Sequence, residues 1–378
     1  MKKKPSLYWL TAMIITAIII IFNIFAYFKG FCDFYSEKIY GRIADLIGRI
    51  MSIFPFALGE ILMYAGAMLF LFLVILAILF VFFRKKNMFR RFAVGFFKMM
   101  LMLFLIILMS YTFNWIIPFR SSLLGIKNHS QREYSAEELR TVRNYMVEQI
   151  NYNSELVLRD KDSNIILMDE DTACNEVTEA MQGISDRYTR LKGYYPKAKP
   201  ALCSDFLEWM WIGGYTYPYT MEITYNKYTD KLYFPVLLAH EESHHKGYYQ
   251  ENEANFLSFV SCAESDNPYL RYSAYLVMYS FVQDEYFNCL STVYSDDEIA
   301  MIMDKEPKIC EQAWIDLSYA SLEAEEVYAQ ESHPMDSLTD VAADIADEGW
   351  SMQEEVLSGN YYDDVVGLIL EYYEGILY

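Results

Sequence analysis

Between Phe234 and Cys262 the chain reads FPVLLAHEESHHKGYYQENEANFLSFVSC, and inside it His240-Glu241-Glu242-Ser243-His244 forms the pattern H-E-x-x-H. On a helix, residues four apart lie one turn above each other on the same face. His240 and His244 then aim two imidazoles at one zinc ion. Glu241 sits about 100° round the helix, within reach of a water on the metal without occupying a coordination position. Such a site combines a Lewis acid with a general base, the requirements for hydrolysing an amide. The chain has five histidines, His129, His240, His244, His245 and His333, and three of them fall inside six residues. The competing reading is a solvated polar helix face with incidental histidines. Against it, Leu237-Leu238-Ala239 leads straight into the motif, as expected for a half-buried helix with its site on a wet edge, and Pro235 suits the first turn.

Zinc needs a third protein ligand. Gly247 lets the chain leave the helix through a left-handed residue and turn back. Three residues beyond it, where a metzincin carries its third ligand, stands Gln250, a poor zinc ligand. Glu251-Asn252-Glu253-Ala254-Asn255 follows. In the pattern of the glutamate-type zincins, Glu251 is the ligand and Asn255, one turn on, supports it. Glu253 is the competing choice.

The segment resembles the domain-of-unknown-function 3810 family of bacterial membrane proteins, which is regarded as zincin-like. The residues that carry the resemblance are His240-Glu241-x-x-His244-x-x-Gly247, then Glu251-x-Glu253-Ala254-Asn255-Phe256-Leu257 and Cys262. Upstream, Gly213-Gly214-Tyr215-x-Tyr217-Pro218-Tyr219-Thr220-x-Glu222 is similar to the family's stretch before the metal helix. The likeness extends to three apolar segments near the amino terminus. It implies an architecture and a metal chemistry, and names no substrate.

The elements that must position the site begin with a membrane anchor. After Met1-Lys2-Lys3-Lys4, residues 8–27 are apolar apart from Thr11, Thr16 and Asn23, enough to cross about 30 Å of hydrocarbon. A cleaved signal peptide usually has an apolar core of about 7–15 residues and a small-x-small cleavage site, which is not found here. Residues 31–53 are amphipathic, with Ile39, Ile43, Leu46, Ile47 and Ile50 at helical spacing, and fit the bilayer surface or the cap of a helix bundle. Further spans are predicted over 62–83 and 99–118. Between them, Arg84, Lys85, Lys86, Arg90 and Arg91 form a positive loop with no acid. Positive loops stay in the cytoplasm, so three spans place everything after Pro118 outside it.

Charge divides the chain at the same point. Residues 1–118 carry thirteen Lys and Arg against four Asp and Glu, and residues 119–378 carry 18 against 47. The acidic half offers no basic patch for nucleic acid. Its field favours cationic partners, although a solvated surface that stays off anionic lipid explains it as simply. Its fold is expected to be mainly α. Ser135 and Glu138 form a capping box for a helix to about Asn151, and Thr172 to Lys192 reads as a second helix. Residues 215–225 alternate and read as a strand. Pro218 marks it as an edge, where an extended peptide adds by strand pairing, or a plain hairpin. Helical patterns return at 269–290, 295–304, 311–330, 334–357 and 361–376. Six cysteines without a C-x-x-C argue against a second zinc site, and some of them would pair outside the cytoplasm. Tyr215, Tyr217, Tyr272 and Tyr275 are candidates for stabilising an oxyanion, and His333 reads as a loop residue.

The sequence thus predicts three transmembrane helices in an anchor (1–118), then a zincin-like, predominantly helical extracytoplasmic domain with a small sheet (119–378). Its expected activity is that of a zinc metallopeptidase in the cell membrane, acting on a peptide or protein outside the cytoplasm. His240, His244 and Glu251 would hold Zn²⁺, with Glu241 as general base. The alternative is a membrane sensor or scaffold that keeps the metal-binding fold without turnover. An intramembrane protease fits less well, because its motif belongs in a span-length apolar helix and the stretch from Glu241 to Glu253 is polar.

Overall fold

The structure, a computed structural model, describes residues 6–126, 134–330 and 365–378. Among the described residues, three helical runs are long and apolar enough to cross a membrane: α1 (Leu7–Phe25), α4 (Leu58–Phe83) and the run Asn87–Phe119. The third consists of α5 (Asn87–Tyr111), a π-helical turn over Thr112–Ile116, and α6 (Ile117–Phe119). It starts twelve residues earlier than hydropathy alone suggests. Arg90, Arg91 and Lys98 do not break helical geometry, because long basic stems can lie along apolar surface while their heads reach water. Asn23 of α1 donates to Thr112 Oγ1 of that run at 3.0 Å, so two of the few polar side chains in the apolar helices satisfy each other.

The amphipathic segment forms α2 (Lys29–Tyr35), a π-helical turn and α3 (Gly41–Met51). It does more than cap the bundle or lie on a bilayer. The fully buried Tyr40 donates to the His245 carbonyl oxygen at 3.2 Å, and its hydroxyl lies 2.8 Å from that of Tyr249. Asp45 accepts from Lys246 Nζ at 3.0 Å and from the Tyr194 N–H at 3.1 Å. The segment is therefore a wall of the same core that holds the H-E-x-x-H helix.

The remaining helices are α7 (Ala136–Ser154), α8 (Glu170–Gly183), α9 (Ser204–Trp209), α10 (Phe234–His245), α11 (Glu251–Ala263), α12 (Pro268–Ser291), α13 (Asp296–Met303), α14 (Glu311–Ala329) and a last described helix, Val365–Tyr373. The Ser135–Glu138 capping box starts α7 as expected. The helix predicted over 172–192 is shorter. Asp169 caps it by accepting from the Thr172 N–H at 3.0 Å, it ends at Gly183, and a separate 3₁₀ turn follows at Thr189–Leu191. Helices α7, α8, α10, α11, α12 and Val365–Tyr373 share one apolar core containing Met146, Phe259 and Ile369. His129, His333 and the pattern at 334–357 lie outside the described residues. All six cysteines are free thiols, so the expected pairing is not seen.

The stretch over 215–225 is two strands. β2 (Gly214–Tyr217) runs antiparallel to β3 (Glu222–Tyr225), and β1 (Lys199–Pro200) pairs with β3 in parallel, giving the order β1-β3-β2. Pro218 lies in the connecting turn, where its missing N–H costs no ladder bond. Glu222 ties this sheet to α4. Its carboxylate accepts from the N–H groups of Leu58 (3.0 Å) and Gly59 (2.6 Å) at the start of α4, and from Lys199 Nζ at 2.6 Å. Burial alone would raise its pKa, but these donors outweigh it and hold the carboxyl below the ordinary range.

Candidate metal centre

Helix α10 carries the motif, and it is more central than a half-buried helix. Every residue from Phe234 to His245 is buried except His240, which is partly exposed. It ends in a left-handed turn at Gly247 (φ +85°). There the Gly247 N–H donates to His244 O at 2.9 Å and the Tyr248 N–H to Ser243 O at 3.1 Å, the paired bonds of a Schellman motif. A side chain at Gly247 would also place a Cβ 2.8 Å from the Tyr40 ring. This turn swings the chain back so that α11 begins at Glu251 beside α10.

The turn fixes the histidines as well. It delivers the Tyr248 carbonyl oxygen 2.8 Å from His244 Nδ1, and Asn255 Oδ1 of α11 lies 2.8 Å from His240 Nδ1. With an oxygen against each Nδ1, both rings turn Nε2 inward, and with Nδ1 donating to that oxygen Nε2 is the nitrogen left for a metal. Glu251 meets them, with Oε2 3.1 Å from His240 Nε2 and Oε1 3.5 Å from His244 Nε2. Ligand atoms about 2.0–2.1 Å from a tetrahedral zinc stand roughly 3.3–3.5 Å apart, so nitrogen and oxygen donors at these spacings fit zinc. The three form the group suited to holding a metal among the described residues. Burial would raise the Glu251 pKa, but the two imidazoles hold it well below the carboxylate range. Burial likewise lowers His244, and the Glu251 carboxylate outweighs it to push the imidazole up to about 9.

Glu253 is turned away. Its carboxylate is buried and accepts from the Leu124 N–H, and burial pushes it up to about 7. Glu241 is buried beside the cluster, and desolvation raises its pKa against the pull of His244 and His240. Thr216 of β2 holds it, with Oγ1 3.0 Å from Glu241 Oε2 and 2.8 Å from the Glu241 carbonyl oxygen. Gly214, on the same face of that strand, has no room for a side chain, since a Cβ would lie 3.2 Å from Glu241 Cγ and 2.7 Å from the Thr224 carbonyl oxygen.

The chain belongs to a recognised family. Residues 35–302 match the family described as protein of unknown function (DUF3810). The match covers the second and third apolar helices, the amphipathic wall from Tyr35 onward, the sheet and both metal-site helices. No curated protein and no solved structure matches the chain.

The third histidine of the motif region does not join the other two. His245 is fully buried, with Nδ1 3.0 Å from Met221 O and Nε2 3.3 Å from Tyr194 O, and burial lowers its pKa to about 3. Among the tyrosines, Tyr272 donates to Asp316 at 2.9 Å and Tyr275 lies against Tyr373, both in the core. Tyr215 has a buried hydroxyl, and the Tyr217 ring packs on Gly59. Outside that set, the Tyr249 ring stacks on His244 with centroids 5.9 Å apart, and Tyr233 feels the charges of the site. Tyr233, at the start of α10, is raised by burial and then by the charges of Glu241 and Glu251. It lines a cleft of about 600 Å³ with Gly213 and Asp230. Its signal in the sequence was a spacing of seven, two helical turns before His240.

Proposed function

We propose that this DUF3810 protein is a membrane-anchored zinc metallopeptidase, with His240, His244 and Glu251 holding Zn²⁺ and Glu241 as general base. The observation that carries the reading is the pair of fixed ring orientations: Asn255 and the Tyr248 carbonyl hold each Nδ1, so both Nε2 atoms converge on Glu251. A zinc ion bound there supplies a Lewis acid and lowers the pKa of its water. Glu241 takes the proton of the attacking water and returns it to the leaving amine. Thr216 fixes the Glu241 carboxylate for both transfers. The substrate strand adds to β2, whose outer edge has no strand partner among the described residues and whose Gly214 and Thr216 face Glu241.

The ends of the three apolar helices support an extracytoplasmic site. Phe25, Leu58 and Phe119 lie at the end of the bundle where the site is built, opposite the loop Arg84–Arg91 that the positive-inside rule keeps in the cytoplasm.

Zinc content and peptide cleavage of the full-length protein test the reading. The full chain is required because Tyr40, Asp45 and the start of α4 all bond to the site's framework. The wild type is expected to carry one zinc, lost in Glu251→Ala and kept in Glu253→Ala. Glu241→Gln is expected to keep the metal and lose cleavage by about 10²–10⁴-fold. Metal without cleavage in the wild type would favour the sensor or scaffold, and no metal in the folded wild type would end both readings.

A further inference from the structure

Helix α9 separates two environments. On one side Glu208 faces the cleft that Tyr233 lines. On the other, Leu202, Cys203, Phe206 and Trp209 recur at helical spacing and face Met63 and Tyr64 of α4 across a groove of about 410 Å³. The groove is apolar. Its one carboxylate, Asp205, already accepts from the Tyr228 hydroxyl at 2.6 Å, and burial pushes the Cys203 thiol up to about 12, so it is neutral. Yet Leu202 is 60 % exposed and Phe206 46 % exposed.

The depth of this groove follows from α4. The helix ends at Phe83, just before Arg84-Lys85-Lys86. About twenty residues cross the hydrocarbon core, so counting back from Phe83 puts Tyr64 at the opposite hydrocarbon boundary. Tyrosine is enriched at that level. The α9 side of the groove is held at the same depth by Glu60. Its buried carboxylate accepts from the Leu202 N–H at 2.7 Å and from the Tyr64 hydroxyl at 3.0 Å. Leu202 and Phe206 are thus exposed where the surroundings are lipid.

We propose that the groove between α4 and α9 binds one acyl chain of a phospholipid from the leaflet at the Leu58 end of α4. The chain lies along Met63 and Tyr64 and covers Leu202, Phe206 and the Trp209 ring. This seats α9, and with it the Gly213–Tyr217 segment beside Glu241, on the membrane surface.

The full-length protein in nanodiscs tests this, with phospholipid whose acyl chains are either dibrominated or unmodified. Bromine quenches indole emission on contact, and the wild-type spectrum minus that of Trp209→Phe isolates Trp209. Its emission is expected to fall by more than about half in the brominated bilayer. Equal emission in the two bilayers would overturn the proposal and assign the groove to another occupant, such as residues 331–364 or a second copy of the chain. Phe206→Glu, at an exposed position, provides a check that does not depend on Trp209. Native mass spectrometry of the variant is expected to show one fewer retained phospholipid than the wild type. An unchanged count would also defeat the proposal.

Discussion

Helix α10 presents two faces, and its histidines divide between them. His240 and His244 stand on the face toward α11, and each uses Nδ1 on an oxygen acceptor and offers Nε2 to Glu251. His245, one residue beyond His244 and so about 100° further round, points to the wall made by α3 and the turn before β1. Both of its nitrogens face carbonyl oxygens. Since burial keeps this imidazole neutral, it has one proton to give. Lys246 joins this rear face with no exposed side-chain surface, bonding Asp45 and the Tyr194 carbonyl and lying 4.2 Å from the Tyr195 ring centroid. The difference lies in what Nε2 meets: the Glu251 carboxylate for His240 and His244, a backbone carbonyl oxygen for His245. Density of histidines in the sequence does not decide it.

The sharpest way to break this comparison is to exchange the two faces' losses. His244→Ala is expected to abolish stoichiometric zinc, whereas His245→Gln keeps it; metal analysis of the two purified variants reads this directly. Equal loss from both would erase the distinction. Next in size, Asn255→Ala should weaken zinc binding by about 10–100-fold while Glu251 stays in place, because the support of His240 Nδ1 is removed. Competition with a chelator of known affinity measures it.

On the rear face, Lys246→Met leaves Asp45 and the Tyr194 carbonyl without their cation. A loss of about 1–3 kcal/mol in stability is expected with unchanged zinc affinity, discounted because Asp45 is partly exposed. Denaturant titration of the metal-loaded protein tests both halves. The smallest effect concerns Glu222. Its pKa is lowered in the fold, so its contribution is complete above the unfolded value of about 4.3 and is lost as pH falls through the lower folded value. Thermal unfolding should therefore show acid loss below about pH 4 that Glu222→Gln removes.

Several elements were legible because they depend on local geometry. The i, i+4 histidines, the Ser135–Glu138 capping box, the glycine that ends α10 and the apolar lengths of three helices are each properties of a few consecutive residues. The hairpin over 214–225 was read only as the alternative to a single edge strand, because Pro218 suits an edge strand and a turn equally well and pairing decides between them. The wall from α2 to α3 was not placed either. Its amphipathic pattern states that one face is buried, and the pattern is silent on whether lipid or protein buries it.

The sequence by itself determined that two imidazoles and a carboxylate share one helix, since helical periodicity is a property of the chain alone. Only the tertiary structure decided which glutamate comes to them. Glu251 and Glu253 are two residues apart, about 200° round α11, so one faces α10 and the other faces away. Which one does is set by the Schellman turn at Gly247 and by the packing of α11 between α8, α10 and α12. The same packing brought Thr216 from β2 to Glu241. Pairings between distant parts of the chain carry no periodicity in the sequence.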